Sequence, residues 1–318
     1  MTTHYIEPER ETLHGSFSRD AVPIRTIESG DTVIYRTLDA GWNLGAVWAG
    51  YPEDVERKFA PRDSATDSGH AMCGPIEIAG AEPGMTLEVR IGAITPGNWG
   101  WTSAGGWKHD VHERLQMLDR EGWLRWNLDP AAMTARNQFG HEVSLRPFMG
   151  VMGMPTNEPG ILSTAPPRRT GGNLDCKELV AGTQLFLPIE VPGALFSVGD
   201  GHALQGDGEV CVTAIECPME RVELTFILHK DLKLQSPRAL TDEGWLALGL
   251  HADLQEATYL AIEDILDLMT EQYVIDRHEA FALASLVVDL RITQIVNGVR
   301  GVHAVLPHNA VRGLAPRT

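Results

Sequence analysis

Apolar and polar residues alternate with a period of two along most of the first three quarters of the chain. Behind the turn Ser29-Gly30-Asp31, the run 31–38 sets Val33, Tyr35 and Thr37 against Ile34, Arg36 and Leu38. Behind Pro83-Gly84, the run 82–94 puts Leu87, Val89 and Ile91 on one face. Successive side chains of a strand point to opposite faces, so this patterning behind Gly/Pro turns predicts strands. The runs 181–198 and 210–229 predict further strands. Many short strands separated by turns favour a mainly β body of the jelly-roll-like sandwich kind. Segment 152–173, rich in Pro and Gly, interrupts the pattern. Strands flank it on both sides, so it is expected to wall a site rather than link two domains.

After Pro237 the period changes. In 252–273, Leu254, Ala257, Ala261, Ile265, Leu268 and Met269 recur at helical spacing. A second helix is expected from about Asp276, where Asp276 can cap and Glu279 can reach back, ahead of the apolar run 280–288. The run 299–307 alternates again as a strand. The pattern predicts an α+β chain: a β-rich body over about 1–237 and a smaller αα-β lobe over about 238–318, forming one catalytic unit. The helical stripes are read as core.

Composition narrows the function classes. The 318 residues suffice for one large domain or two closely joined ones. A net charge of -17 repels phosphate backbones and anionic lipid, so neither nucleic acid nor membrane is an expected partner. The N-terminus lacks the apolar core of a signal peptide, and no run approaches the roughly 20 apolar residues of a membrane helix. Cys73, Cys176, Cys211 and Cys217 show no C-x-x-C spacing, which points to a reducing, cytoplasmic location and gives a thiolate zinc site no support. Nucleotide-binding glycine loops and the G-x-S-x-G elbow of serine hydrolases are absent from the sequence.

The stretch 198–209, VGDGHALQGDGE, carries the strongest chemical signal. Asp200 and His202 lie two apart, so at a strand end they present one carboxylate oxygen and one imidazole nitrogen to the same side. That donor pair suits zinc. Asp207 and Glu209 repeat the spacing. The competing reading is a hairpin with Asp207-Gly208 as its turn and the acids solvated. An EF-hand fails, because Leu204 and Cys211 fall where calcium ligands belong.

Other candidates lie outside this stretch. Asp175, after Gly171-Gly172-Asn173, delivers a carboxylate at a strand entrance or else forms an Asx turn. Cys176, Lys177 and Glu178 superficially resemble a Cys-Lys-Glu amidase set, but in an extended segment Lys177 points away from its neighbours. His70 and Asp39 stand beside strand ends as further ligands. Trp99, Trp101 and Trp107 lie among glycines, where aromatics wall small-molecule pockets or simply pack. Together these groups suit a metal-assisted hydrolase. The ion would polarise a carbonyl and lower the pKa of a water to about 7. A carboxylate would move that water's proton to the leaving amine.

Five segments carry a family resemblance: GHAMCGPIEIAGAEPGMTLEVRI (69–91), LRPFMGVMG (145–153), PPRRTGGNLDCKEL (166–179), the run 185–225 that contains GDGHALQGDGE, and LASLVVDLRITQIVNGVRGVHAVLP (283–307). In this order they resemble the acetamidase/formamidase family over about residues 15–310. The resemblance implies hydrolysis of short primary amides to a carboxylate and ammonia, with some relatives acting on a γ-lactam. It implies a β-rich fold with a smaller α/β part and a homo-oligomer, a dimer or a multiple of it. It implies a divalent metal, zinc or calcium, near the active site. By motif position it implies Asp175, Asp200 and His202 as ligands, with His70 and Asp39 behind them. Glu209 and Glu178 are the candidate bases, His202 shares the catalytic role, and Trp99, Trp101 and Gln205 are candidate substrate contacts. The alternatives are a hydrolase of a bulkier amide on the same scaffold, suggested by the tryptophans of 98–126, or a β-sandwich binding protein with a purely structural metal. An open coordination position favours the enzyme; a closed one favours the binder.

Overall fold

The computed structural model describes residues 1–46 and 58–317. Two sheets enclose the main core. The larger has nine strands in the order Thr3–Ile6, Thr32–Thr37, Met219–His229, Thr86–Pro96, Gln184–Pro188, Arg238–Leu240, Gly244–His251, Arg300–Pro307 and Asp289–Gln294. Facing it, Gly171–Asn173, Phe148–Gly153, Phe196–His202, Met72–Ile78 and Leu13–His14 form the second sheet in that order, and Arg25–Ile27 also pairs with Met72–Ile78. Val33, Tyr35, Leu87, Val89 and Ile91 point inward as their spacing requires, and all are buried. They meet Ile76, Ile78, Met149 and Val198 of the other sheet in one apolar cluster. Phe196 and Phe226 join the layers through an edge contact with centroids 5.0 Å apart.

A third, four-stranded sheet runs Glu142–Ser144, Thr134–Asn137, Gly122–Asp129 and Trp99–Ala104. Its tryptophans and glycines obscure the alternation, so periodicity did not anticipate it.

Two strand expectations need correction. The run 210–229 becomes a strand only at Met219. Residues before it form a loop whose backbone bridges Trp101 and His202 through Glu216. The run 181–198 splits into Gln184–Pro188 and the start of Phe196–His202. Gly193, Ala194 and Leu195 take left-handed backbone between the two, a turn that hydropathy does not register.

The C-terminal elements match their signals closely. Helices span Leu254–Gln272 and Arg277–Val287. Asp276 caps the second by accepting from the backbone N–H groups of His278 and Glu279. The helices cover the far end of the nine-stranded sheet, so the strands after residue 237 extend that sheet. Gly249 permits the approach: a Cβ there would run into the carbonyl of Ala257. Arg238, buried on the sheet, grips the long helix through Asp264 at 2.9 Å and Glu271 at 2.6 Å. Among the described residues, no helix is long and apolar enough to cross a membrane.

Candidate active site

The central strands of the smaller sheet build the site. Met149 pairs with Gly201 and Val151 with Gly199, which sets Gly150 across from Asp200. No side chain grows from Gly150, and the space it leaves is filled by acids. A Cβ there would lie 2.5 Å from Asp200 Oδ2, 2.8 Å from Asp175 Oδ1 and 2.9 Å from His202 Cε1.

Asp175, Asp200 and Glu209 hold left-handed backbone, with φ of 47°, 59° and 48°. Non-glycine residues adopt this conformation at a cost and cluster in it at functional sites. Asp200 and His202 do converge, but not as side chains of a regular strand. The left-handed turn at Asp200 brings its Oδ1 to 3.4 Å from His202 Nε2. Glu216 reaches the same nitrogen from the other side, at 3.3 Å.

Hydrogen bonds fix the imidazole. The Gln205 side-chain amide donates to the Asp175 carbonyl at 2.8 Å, so its own oxygen faces His202 Nδ1 at 2.9 Å. That oxygen only accepts, so Nδ1 carries a proton and Nε2 is left to face the carboxylates. Among the described residues, the buried atoms without a hydrogen-bond partner include four of this cluster: Asp175 Oδ1, His202 Nε2, Glu209 Oε2 and Glu216 Oε2. Ligand atoms of Asp175, Asp200 and His202 lie within 4.8 Å of one another, as do those of His202, Glu209 and Glu216. One imidazole nitrogen and several carboxylate oxygens, otherwise unsatisfied, fit a divalent cation.

The electrostatics agree. Burial pushes the Asp175 carboxyl up to about 8, with Asp200 and Glu216 adding to the rise and His202 opposing it. Burial and Asp175 raise Glu209 well above the usual carboxylate range, and burial raises Glu216. Burial pulls the His202 imidazole down, but Glu216 and Asp200 outweigh it and raise it. Asp200 alone goes the other way: burial works against its charge, and His202 and His70 overcome it. Metal-free, the cluster therefore keeps protons on some of its acids, because each uncompensated buried charge costs several kcal/mol, on the order of 5. A dication would displace those protons.

A cavity of about 490 Å³ opens over Asp200, Glu209 and Glu216, with Trp101, Thr164 and Asn297 among its walls. Ser163, Thr164 and Ala165 of the Pro/Gly-rich segment contribute to it, in line with the expected wall. His70 also lines it and bonds Thr164 Oγ1 through Nδ1 at 2.8 Å.

Several candidates lie elsewhere. Asp39 is buried, but Asn43 N and Nδ2 and Trp101 Nε1 donate to its two oxygens at 2.7–2.8 Å. Those bonds occupy both of its oxygens and orient Trp101. Trp99 borders a different cavity, beside Glu7, Arg36 and Met219. Gln205 spends both ends of its amide on His202 and Asp175 rather than on a substrate. Glu178 pairs with Arg146 at 2.6 Å and Arg291 at 3.4 Å, in a separate group with Asp207 and His303. Lys177 matches Asp207 at 2.8 Å, so this second group is already charge-balanced by its own cations.

Two site residues escaped the sequence reading. Glu216 was legible only as one acid in the apolar run VCVTAIEC, and Asn297 had no local signal at all.

Cys176 is fully buried, and burial pushes its thiol up to about 12. A thiolate is the reactive form. Iodoacetamide at pH 8 is therefore expected to spare Cys176 and to leave amide hydrolysis unchanged, with peptide mapping locating any label. Loss of activity in step with labelling of Cys176 would restore the cysteine mechanism.

The profile of the acetamidase/formamidase family matches residues 2–159 and 157–243. The formamidase of Methylophilus methylotrophus is 47% identical over a match covering 62% of this chain and 59% of that protein. The chain spans about 60% of the length of the curated relatives it matches. Among solved structures, the acetamidase of Yersinia enterocolitica superposes with a TM-score of 0.82 at 27% identity, covering 96% of this chain and 92% of that one. The acetamidase of Bacillus halodurans superposes with a TM-score of 0.81 at 25% identity, covering 95% and 97%.

Proposed function

From a chain that belongs to the acetamidase/formamidase family, we propose an amidohydrolase that cleaves the C–N bond of a short primary amide, of the formamide or acetamide type, to a carboxylate and ammonia. The observation that carries this is the set of four unpartnered buried atoms on Asp175, His202, Glu209 and Glu216, gathered beside an open cavity.

Each residue has a role that follows from its surroundings. Asp175, Asp200, His202 and Glu216 would hold the cation, and the imidazole nitrogen favours zinc over calcium. When bound, such an ion supplies polarisation of the amide carbonyl and acidification of water. Glu209 is the base. Its carboxyl lines the cavity and has an oxygen with no hydrogen-bond partner, which leaves it placed to take a proton from water. The water oxygen adds to the carbonyl carbon, the C–N bond breaks, and Glu209 returns the proton to the departing nitrogen, which leaves as ammonia. Glu178, the other candidate base, lies in the arginine-paired group and plays no part in the step. Trp101, held by Asp39, walls the cavity.

The partner surface suits a second copy of the chain. Asp289–Gln294 ends the nine-stranded sheet, and Phe281, Leu286, Leu290 and Ile292 stand exposed on or near it. Among the described residues, only the end of this edge strand is covered, by Gly208 against Gln294, and an apolar sheet edge is a surface that natural proteins cover. The four free cysteines suit a reducing cytoplasm.

The test is ammonia release from formamide, acetamide and larger amides, with the protein as purified, chelated, and reloaded with zinc. Activity on the short amides is expected to vanish with the chelator and return with zinc. Chelator-resistant activity overturns the role of the metal. Release from none of the amides leaves a binding protein.

A further inference from the structure

Asn297 lies 122 positions from Asp175 in the chain, yet its side-chain amide donates to Asp175 Oδ2 at 2.5 Å. The contact is built with care. Gln294, buried at the end of strand Asp289–Gln294, accepts from the backbone N–H groups of Val296 at 2.9 Å and Asn297 at 3.2 Å. Its amide donates to the carbonyl of Val299 at 2.7 Å. One buried side chain thus braces the whole turn, which Gly298 closes with φ of 76°. The same segment is stitched to the loop that bears Glu209. Gly208 N–H donates to the Thr293 carbonyl at 3.0 Å, and Ile295 N–H to the Gly208 carbonyl at 3.2 Å. His109 Nε2 meets the Val296 carbonyl at 2.8 Å.

The consequence falls on Asp175. Asn297 occupies Oδ2, while Oδ1 stays buried without a partner, on the side facing Gly150. A carboxylate held by one oxygen offers the other in a fixed direction. Partners behind a ligand typically change metal affinity 10–100-fold. An amide suits the position because it donates without adding charge. An acid there would add a negative group to an already crowded set of carboxylates.

We propose that Asn297 is a positioning residue: by holding Asp175 Oδ2 it aims Oδ1 at the cation, and so ties metal affinity to the C-terminal turn. This rests on the metal reading of the site given above. It makes strands that lie outside the smaller sheet part of the machinery that organises the ion.

The experiment is zinc affinity, measured on the full chain by competition with a chromogenic chelator. Asn297→Ala is expected to bind zinc about 10- to 100-fold more weakly than the native chain, and Asn297→Asp more weakly still. In an Asp175→Asn background, Asn297→Ala is expected to cause no further loss, because the residue acts through Asp175. In ammonia assays at saturating zinc, Asn297→Ala is expected to lower kcat while leaving KM unchanged, because the residue acts through Asp175 and not on the substrate. Native zinc affinity in Asn297→Ala overturns the proposal, as does a raised KM with unchanged affinity, which would make Asn297 a substrate contact. Equal losses in the single- and double-variant backgrounds would assign it a general structural role and overturn it too. If the native chain binds no zinc, the metal reading itself fails and takes this one with it, a result distinct from the others.

Discussion

His202→Ala is expected to abolish ammonia release, a loss of at least about 10³-fold, in the range seen when a catalytic acid–base or electrostatic group is removed. His202 is the group shared by both sets of ligand atoms in the cluster. Its Nε2 lies 3.3–3.4 Å from Glu216 and Asp200, and without it four buried carboxylates face one another. They would take up protons to stay buried, which removes the donors an ion needs. Bound zinc, measured by elemental analysis, is expected to fall together with the activity. The fold is expected to survive with a lowered Tm, because the ring's main apolar neighbour, Phe148 at 5.1 Å between centroids, remains in the core. Circular dichroism separates loss of the site from loss of the fold. A folded His202→Ala protein with native activity would sink the assignment.

The second large effect is expected from Gly150→Ala, a single added methyl. Gly150 is not in left-handed backbone, so strain is not the mechanism; contact is. The added Cβ would fall 2.5–2.9 Å from Asp200, Asp175 and His202 together. None of the three is a flexible surface chain: all are buried, and both aspartates sit on left-handed backbone. Overpacking of this kind costs about 1–3 kcal/mol in a core, and here it displaces ligands as well. Zinc affinity and kcat are both expected to fall by about 10²-fold or more, as for a lost supporting contact or worse. Gly206→Ala is the control, since a Cβ at Gly206 meets nothing within 4 Å. It is expected to be neutral. If Gly150→Ala keeps full zinc affinity and activity while Gly206→Ala does too, the reactive centre lies elsewhere.

Both predictions rest on groups that read unequally in the sequence. Asp200 and His202 stood out because glycines isolate them in a short polar stretch, and their spacing of two placed them together. The placement held for another reason, since left-handed backbone at Asp200 replaces the regular strand. Glu209 was read in the same stretch as one of two acids. Its neighbour Asp207 turns outward to Lys177, while Glu209 turns in. Nothing local separates those two acids; the loop's stitching to Thr293 and Ile295 does.

Asp39 and Glu178 make the same point from the other side. Each sits in a motif that a ligand or a base would suit, and each is buried. Asp39 is occupied by Asn43 and Trp101, and Glu178 by two arginines. A carboxylate's chemistry depends on what else reaches its oxygens, and those partners come from distant parts of the chain.

The sequence by itself determined what local physics can determine. Period-two runs behind Gly/Pro turns marked Thr32–Thr37 and Thr86–Pro96 of the nine-stranded sheet, and helical spacing with Asp276 as cap marked the C-terminal helices. The order of its motifs identified the family. Tertiary structure alone decided which groups meet. It brought Glu216 from an apolar run and Asn297 from a C-terminal turn to the Asp175–Asp200–His202 cluster, and it gave Asp39 and Glu178 other partners. The physical reason is that a carboxylate's chemistry depends on how deeply it is buried and on which of its oxygens other groups reach. Burial and partnership are properties of the packed chain, not of any stretch of it.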